Sequence, residues 1–160
     1  RLDWYFLSGS MRGVFGGIDA GGINHAIVGT RLITGVAALI SVPIGLLITG
    51  ILVVNNLRDI VQDKAAGKRT VAARIGAEAT KLEYVACVVL AYVVVVAAVI
   101  ARVLPPHALL VMLSAPLALI AAQIVYSQTG TALNGALART GRLALVFGLL
   151  FAAGIVLAGL

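Results

Sequence analysis

The chain has 160 residues, 61% hydrophobic and only 11% charged, with a net charge of +6. Soluble domains run at about 45–50% apolar and about 25% charged, so an ordinary soluble domain, a disordered tail and a coiled coil are excluded and an integral membrane protein is indicated. One cysteine, Cys87, excludes a disulfide within the chain or a thiolate metal cage, and the excess of positive charge points to topology or an anionic substrate, not to nucleic acid.

At about 20 residues per span the length allows four or five membrane helices. Residue 1 is Arg, so the natural start is expected upstream, and no signal-peptide pattern is visible. Residues 1–30 are a Gly-rich segment interrupted by Arg12 and Asp19, expected to form a poor or broken helix, with Trp4, Tyr5 and Phe6 as an interfacial aromatic cluster. Residues 31–160 read as all-α, a polytopic transmembrane helical bundle. A first span, about 32–54, contains Pro43 and Gly45, which membrane helices tolerate, and is expected to kink. A polar block, 55–83, comes next. Further spans are expected at about 84–102, 108–126 with Pro116 inside, and 143–160; Pro105-Pro106 makes a tight connection because neither proline continues the preceding helix. Arg58, Lys64, Lys68, Arg69, Arg74 and Lys81 put six of the twelve basic residues in the polar block. Parity adds Arg139 and Arg142, against Arg102 (and Arg31, if the entrance to the first span is counted) on the other side. This predicts a cytoplasmic block.

Within the block, Asn55, Asp59 and Asp63 are spaced i, i+4, i+8 and share one face if the first span continues helically. Two carboxylates one turn apart repel, and Mg²⁺ relieves this because it takes hard oxygen ligands together with substrate phosphate oxygens and water. Gly67 is expected to end that helix as a left-handed cap; Thr70 opens a short helical turn that Gly76 closes, and Lys68 and Arg69 turn back toward the acids. Carboxylates, a cation and converging basic groups suit a diphosphate. A solvated, topology-setting loop with surface pairs worth under about 1 kcal/mol has the same spacing, so the spacing alone leaves both readings open.

Residues 55–63, Asn-Asn-Leu-Arg-Asp-Ile-Val-Gln-Asp, and 67–76, Gly-Lys-Arg-Thr-Val-Ala-Ala-Arg-Ile-Gly, resemble the second aspartate-rich motif of the intramembrane aromatic prenyltransferase superfamily. The paired asparagines and the Gly-Lys-Arg-Thr turn are most similar to its 1,4-dihydroxy-2-naphthoate branch, which serves menaquinone synthesis. Leu133-Asn134 through Arg142-Leu143 resembles the family's last cytoplasmic loop. The resemblance runs from about Thr34 to the end, and the first 30 residues match poorly. It implies a nine-helix fold of which this chain is the C-terminal part, with residues 32–160 corresponding to helices six to nine. The first motif, N/D-x-x-x-D, has no counterpart in residues 1–54, where Asp3 and Asp19 lack a second acid, so the chain alone is expected to be inactive.

The resemblance further implies transfer of a polyprenyl group from polyprenyl diphosphate to dihydroxynaphthoate, replacing its carboxylate, in a bacterial inner membrane. By the same resemblance Asp59 and Asp63 are catalytic and bind Mg²⁺ with Asn55 as a further ligand, while Asn56, Arg58, Lys68 and Arg69 bind the diphosphate. The long tail suits the lipid bilayer, at about 0.8 kcal/mol per buried CH₂. Competing readings are another aromatic acceptor, a small transporter gated by the acids, or a non-catalytic packing subunit; acids placed at the membrane edge beside basic residues disfavour a transporter. Tyr84 and Tyr126 are expected as anchors at span ends, and Tyr92 and Gln123 are expected to face protein or a cavity. Cys87 reads as a small buried group. His25 and His107 lack metal-ligand spacing.

Overall fold

A computed structural model describes residues 24–158, and the structural statements below concern those residues. They divide between two units, one ending at Ala38 and one beginning at Leu39. Every regular element is helical: α1 Asn24–Arg58, α2 Ile60–Ala65, α3 Val71–Ile75, α4 Ala77–Ile100, a 3₁₀ segment Pro106–Ser114, α5 Ala115–Ser127, a 3₁₀ turn Gly130–Leu133 and α6 Asn134–Leu157. Four stretches are long and apolar enough to cross a membrane: Ala26–Arg58, Ala77–Ile100, Pro106–Ser127 and Gly130–Leu157. The expected all-α bundle of four spans is therefore observed. The segment Trp4–Phe6 and the acids Asp3 and Asp19 lie outside the described residues, as does the His25 side chain, whereas residues 24–30 are helical.

The spans begin and end where caps put them, not where hydropathy falls. α4 starts seven residues before the expected Tyr84 because Gly76, at φ +89°, closes α3 and opens α4, with the Thr80 hydroxyl donating to the Gly76 carbonyl at 2.7 Å. α6 starts nine residues before Leu143, directly after the 3₁₀ turn. α1 runs unbroken through Pro43. The third span switches helix type near its middle. Pro116 has no N–H to give the carbonyl of Met112, four residues back; that carbonyl instead accepts from Ala115, three residues on, and α-helix follows with Pro116 in its first turn. Nine residues at about 2.0 Å and thirteen at about 1.5 Å cover about 37 Å, enough for a hydrocarbon layer of about 30 Å.

Within the unit from Leu39 onward, buried positions follow the helix types. On α6 they are Ala136, Thr140, Leu143, Phe147, Phe151 and Gly154, three or four apart. On the 3₁₀ segment they are Ala108, Val111 and Ser114, three apart, and this segment packs chiefly on α6. Small residues bring the backbones close, as in membrane bundles generally. A Cβ on Gly154 would lie 2.9 Å from the Ala108 Cα and closer still to the His107 carbonyl; one on Gly50 would touch the Tyr84 ring at 3.5 Å. Polar groups in the seams are paired: Tyr92 with Ser114 at 2.7 Å, and Tyr84 with Thr140 at 2.9 Å. Tyr92 also meets Phe147 edge to face at 5.2 Å. Large apolar side chains such as Leu145, Leu149 and Ile100 point outward, at 63%, 63% and 77% exposure, where lipid is their solvent.

Two side chains depart from expectation. Tyr84 is fully buried and is not an interfacial anchor, because the absence of a side chain at Gly50 and the hydroxyl of Thr140 together make room and a partner for it. Gln123, expected to face protein or a cavity, is exposed among the described residues. Tyr126 is half exposed and Cys87 buried, as expected.

Candidate functional site

The ends of α1 and α5 and the starts of α4 and α6 meet at one end of the bundle. α1 stops at Arg58, yet the helical ladder continues across the break: Asp59 N–H donates to the Asn55 carbonyl at 3.2 Å and Asp63 N–H to the Asp59 carbonyl at 2.8 Å. Asn55, Asp59 and Asp63 are therefore stacked on successive turns, as their spacing predicts. The irregularity is at Asp59 itself (φ −94°, ψ 6°). Neighbouring side chains on a regular helix diverge, and here Arg58 folds back to hold Asp59 with both arms. Its Nε and Nη2 each donate to a different Asp59 oxygen at 2.7 Å. The hydrogen bonds from Arg58, and then the charges of Arg58 and Lys68, hold the Asp59 carboxyl below its ordinary value despite some desolvation.

Asp63 is 6% exposed. Ala66 and Gly67 turn the chain there: Gly67 at φ +68° donates to the Lys64 carbonyl at 3.1 Å, and Lys68 N–H donates to the Asp63 carbonyl at 2.9 Å. These are the two bonds of a Schellman cap. They return Lys68 over the acid, its Nζ 3.2 Å from the Asp63 carboxylate. Thr70 caps α3 by accepting from Ala73 N–H at 3.2 Å. Of the basic residues read as diphosphate ligands, Arg58 and Lys68 thus reach the acids, whereas Arg69 is exposed and makes no ion pair among the described residues. Asn55 and Asn56 are half-buried.

Sequence reading missed the other wall. A cavity of about 420 Å³ opens beside Arg58 and Asp59, closed by Lys81 from α4 and by Thr129 and Leu133 before α6. Lys81 is nearly buried, paired to Glu78 at 2.8 Å and set 5.9 Å above the Tyr126 ring. Its i, i+3 spacing from Glu78 was the available signal. Asn134, whose Oδ1 accepts from Arg58 Nη1 at 3.0 Å, carries no local signal for this role.

The donor set fits a hard divalent cation. It contains only oxygens: two carboxylates one turn apart and an amide one turn back. No group of three His, Cys, Asp or Glu converges among the described residues, so further positions would fall to water and substrate, the usual arrangement for Mg²⁺.

Comparison with known proteins gives a consistent result. The model of the UbiA prenyltransferase family matches residues 4–139. The chain is 35% identical over 106 residues (64% of the chain, 34% of the relative) to 1,4-dihydroxy-2-naphthoate octaprenyltransferase of Bacillus subtilis. It is 32% identical over 144 residues (89% of the chain, 46% of the relative) to the protein of the same name from Haemophilus influenzae. It thus spans less than half the length of either. No solved structure matches. The family match begins at residue 4, well before Thr34, where the resemblance was expected to begin.

Proposed function

The chain belongs to the UbiA prenyltransferase family of multi-pass membrane proteins, and from that premise we propose that it serves the transfer of a polyprenyl group from polyprenyl diphosphate to 1,4-dihydroxy-2-naphthoate, with loss of CO₂, giving demethylmenaquinone. The single observation that carries this reading is the stacking of Asn55, Asp59 and Asp63 under the returning Lys68. The names of the two relatives support the choice of acceptor.

In this reading Asp59 and Asp63, with Asn55, hold Mg²⁺, which when bound neutralises charge on the diphosphate. Lys68 and Arg69 add charge-assisted hydrogen bonds to the same group, and Asn56 a neutral one. Their contribution grows as the C–O bond breaks and negative charge gathers on the leaving diphosphate, so they favour the transition state over the bound substrate. The prenyl chain remains among the outward apolar faces of the spans. Eight basic residues at the motif end, against Arg102, or Arg102 and Arg31, on the other side, support a cytoplasmic motif in a bacterial inner membrane.

The test is Mg²⁺-dependent prenyl transfer by the full-length protein in membranes. Asp59→Ala and Asp63→Ala should each lower transfer at least about 100-fold, the scale for losing one preorganised electrostatic group, with membrane insertion unchanged. Undiminished transfer in both variants sinks the reading.

A further inference from the structure

We infer that Asn134 is a positioning residue for the acid pair, acting through Arg58; this rests on the reading of Asp59 as a metal ligand. A guanidinium has five N–H donors in a rigid planar fork. Arg58 uses one edge for both oxygens of Asp59 and the far nitrogen, Nη1, for Asn134 Oδ1 at 3.0 Å. That last bond joins positions 76 residues apart, the end of α1 and the first residue of α6.

Each oxygen of an ionised carboxylate has two lone pairs. The fork occupies one on each oxygen of Asp59, so the orientation of the fork sets where the remaining pairs point. An arginine held only by its sequence neighbour could swing with that neighbour as a unit. Asn134 fixes the opposite side of the fork to a different helix. Its own backbone is firm, because its N–H closes the 3₁₀ turn at the Thr131 and Ala132 carbonyls and the preceding Leu133 is 1% exposed. Partners one hydrogen bond behind a metal ligand govern affinity in this way. Asn134 is itself exposed, so replacing it leaves the core intact.

The test is Mn²⁺ binding, read by electron paramagnetic resonance, to the full-length protein in nanodiscs with inorganic pyrophosphate present. Asn134→Ala should weaken binding about three- to tenfold, less than the 10- to 100-fold typical of losing a ligand's direct partner. Asn134→Asp, which keeps an acceptor, should stay within about twofold of the parent, a smaller loss than that direct-partner range. In Arg58→Lys protein, which has no fork, Asn134→Ala should add nothing further. Parental affinity in Asn134→Ala, or an undiminished effect in the Arg58→Lys background, overturns the inference even where Asp59→Asn still weakens binding. Mn²⁺ affinity indifferent to Asp59→Asn overturns the metal site itself, and the inference with it.

Discussion

At the motif end, Gly67 closes α2 and the next residue, Lys68, lands on Asp63; at the other end, α4 is closed by the same pair of backbone bonds, Arg102 N–H to the Val99 carbonyl and Val103 N–H to the Ala98 carbonyl, and the chain then delivers Leu104 into the apolar core. The turns are alike and the interactions they set up are not. The far end is held by shape, with Gly154 against the His107 backbone and Phe147 tilted against Phe151 at 6.0 Å. The motif end is held by charge, and its charges do not balance: eight basic residues face four acids, Asp59, Asp63, Glu78 and Glu83. Lys64, Arg69, Arg74, Arg139 and Arg142 make no ion pair among the described residues. A seam already filled can only lose by substitution, whereas a surplus of one sign is available to a ligand of the other.

The contrast breaks most readily at Gly154. Gly154→Ala places a methyl group on peptide backbone that cannot rotate away and should cost about 1–3 kcal/mol, seen as a lower midpoint in thermal unfolding, with KM unchanged in the surviving protein. Lys68→Gln should act on the ligand as well as on the fold: on the proposed function the KM for polyprenyl diphosphate rises about tenfold, more at low salt, and the unfolding midpoint also falls because Asp63, 6% exposed, loses the cation that faces it. Arg102 is the one non-glycine residue at positive φ among those described (+58°), a conformation that costs a side chain roughly 1 kcal/mol. Arg102→Gly should therefore stabilise by about that amount. It also removes the charge opposing the motif end, so orientation in the membrane should become more uniform.

The smallest effect concerns pH. Asp59 has its folded pKa depressed below 3.8, first by the Arg58 hydrogen bonds. The stabilisation this gives is complete above the ordinary carboxylate range and is lost only as pH falls through the depressed value. Carbon-13 labelled aspartate should show a titration midpoint below 3.8 that rises in Arg58→Gln; an unchanged midpoint would remove Arg58 as the cause.

What the chain announced in advance divides along the same line. Spans were legible because a run without charge has nowhere else to go, and the stack of Asn55, Asp59 and Asp63 was legible because helical periodicity is local. Span ends were not, since Gly76 and the Gly130–Leu133 turn override hydropathy and carry Glu78, Lys81 and Arg139 into the helices. Neither was the bond from Arg58 to Asn134, which no local pattern encodes, nor Tyr84's burial, which needed Gly50 and Thr140 from two other helices.

The row formed by Ala108, Val111 and Ser114 limits how this span can change length. Wound at three residues per turn, these side chains line up parallel to the axis, so adding or deleting one residue between Pro106 and Ser114 would swing the row by about 120° away from α6. Insertions and deletions in multiples of three are the ones that keep the same edge against its neighbour, giving this half-span a counting rule that the α-helical spans do not share.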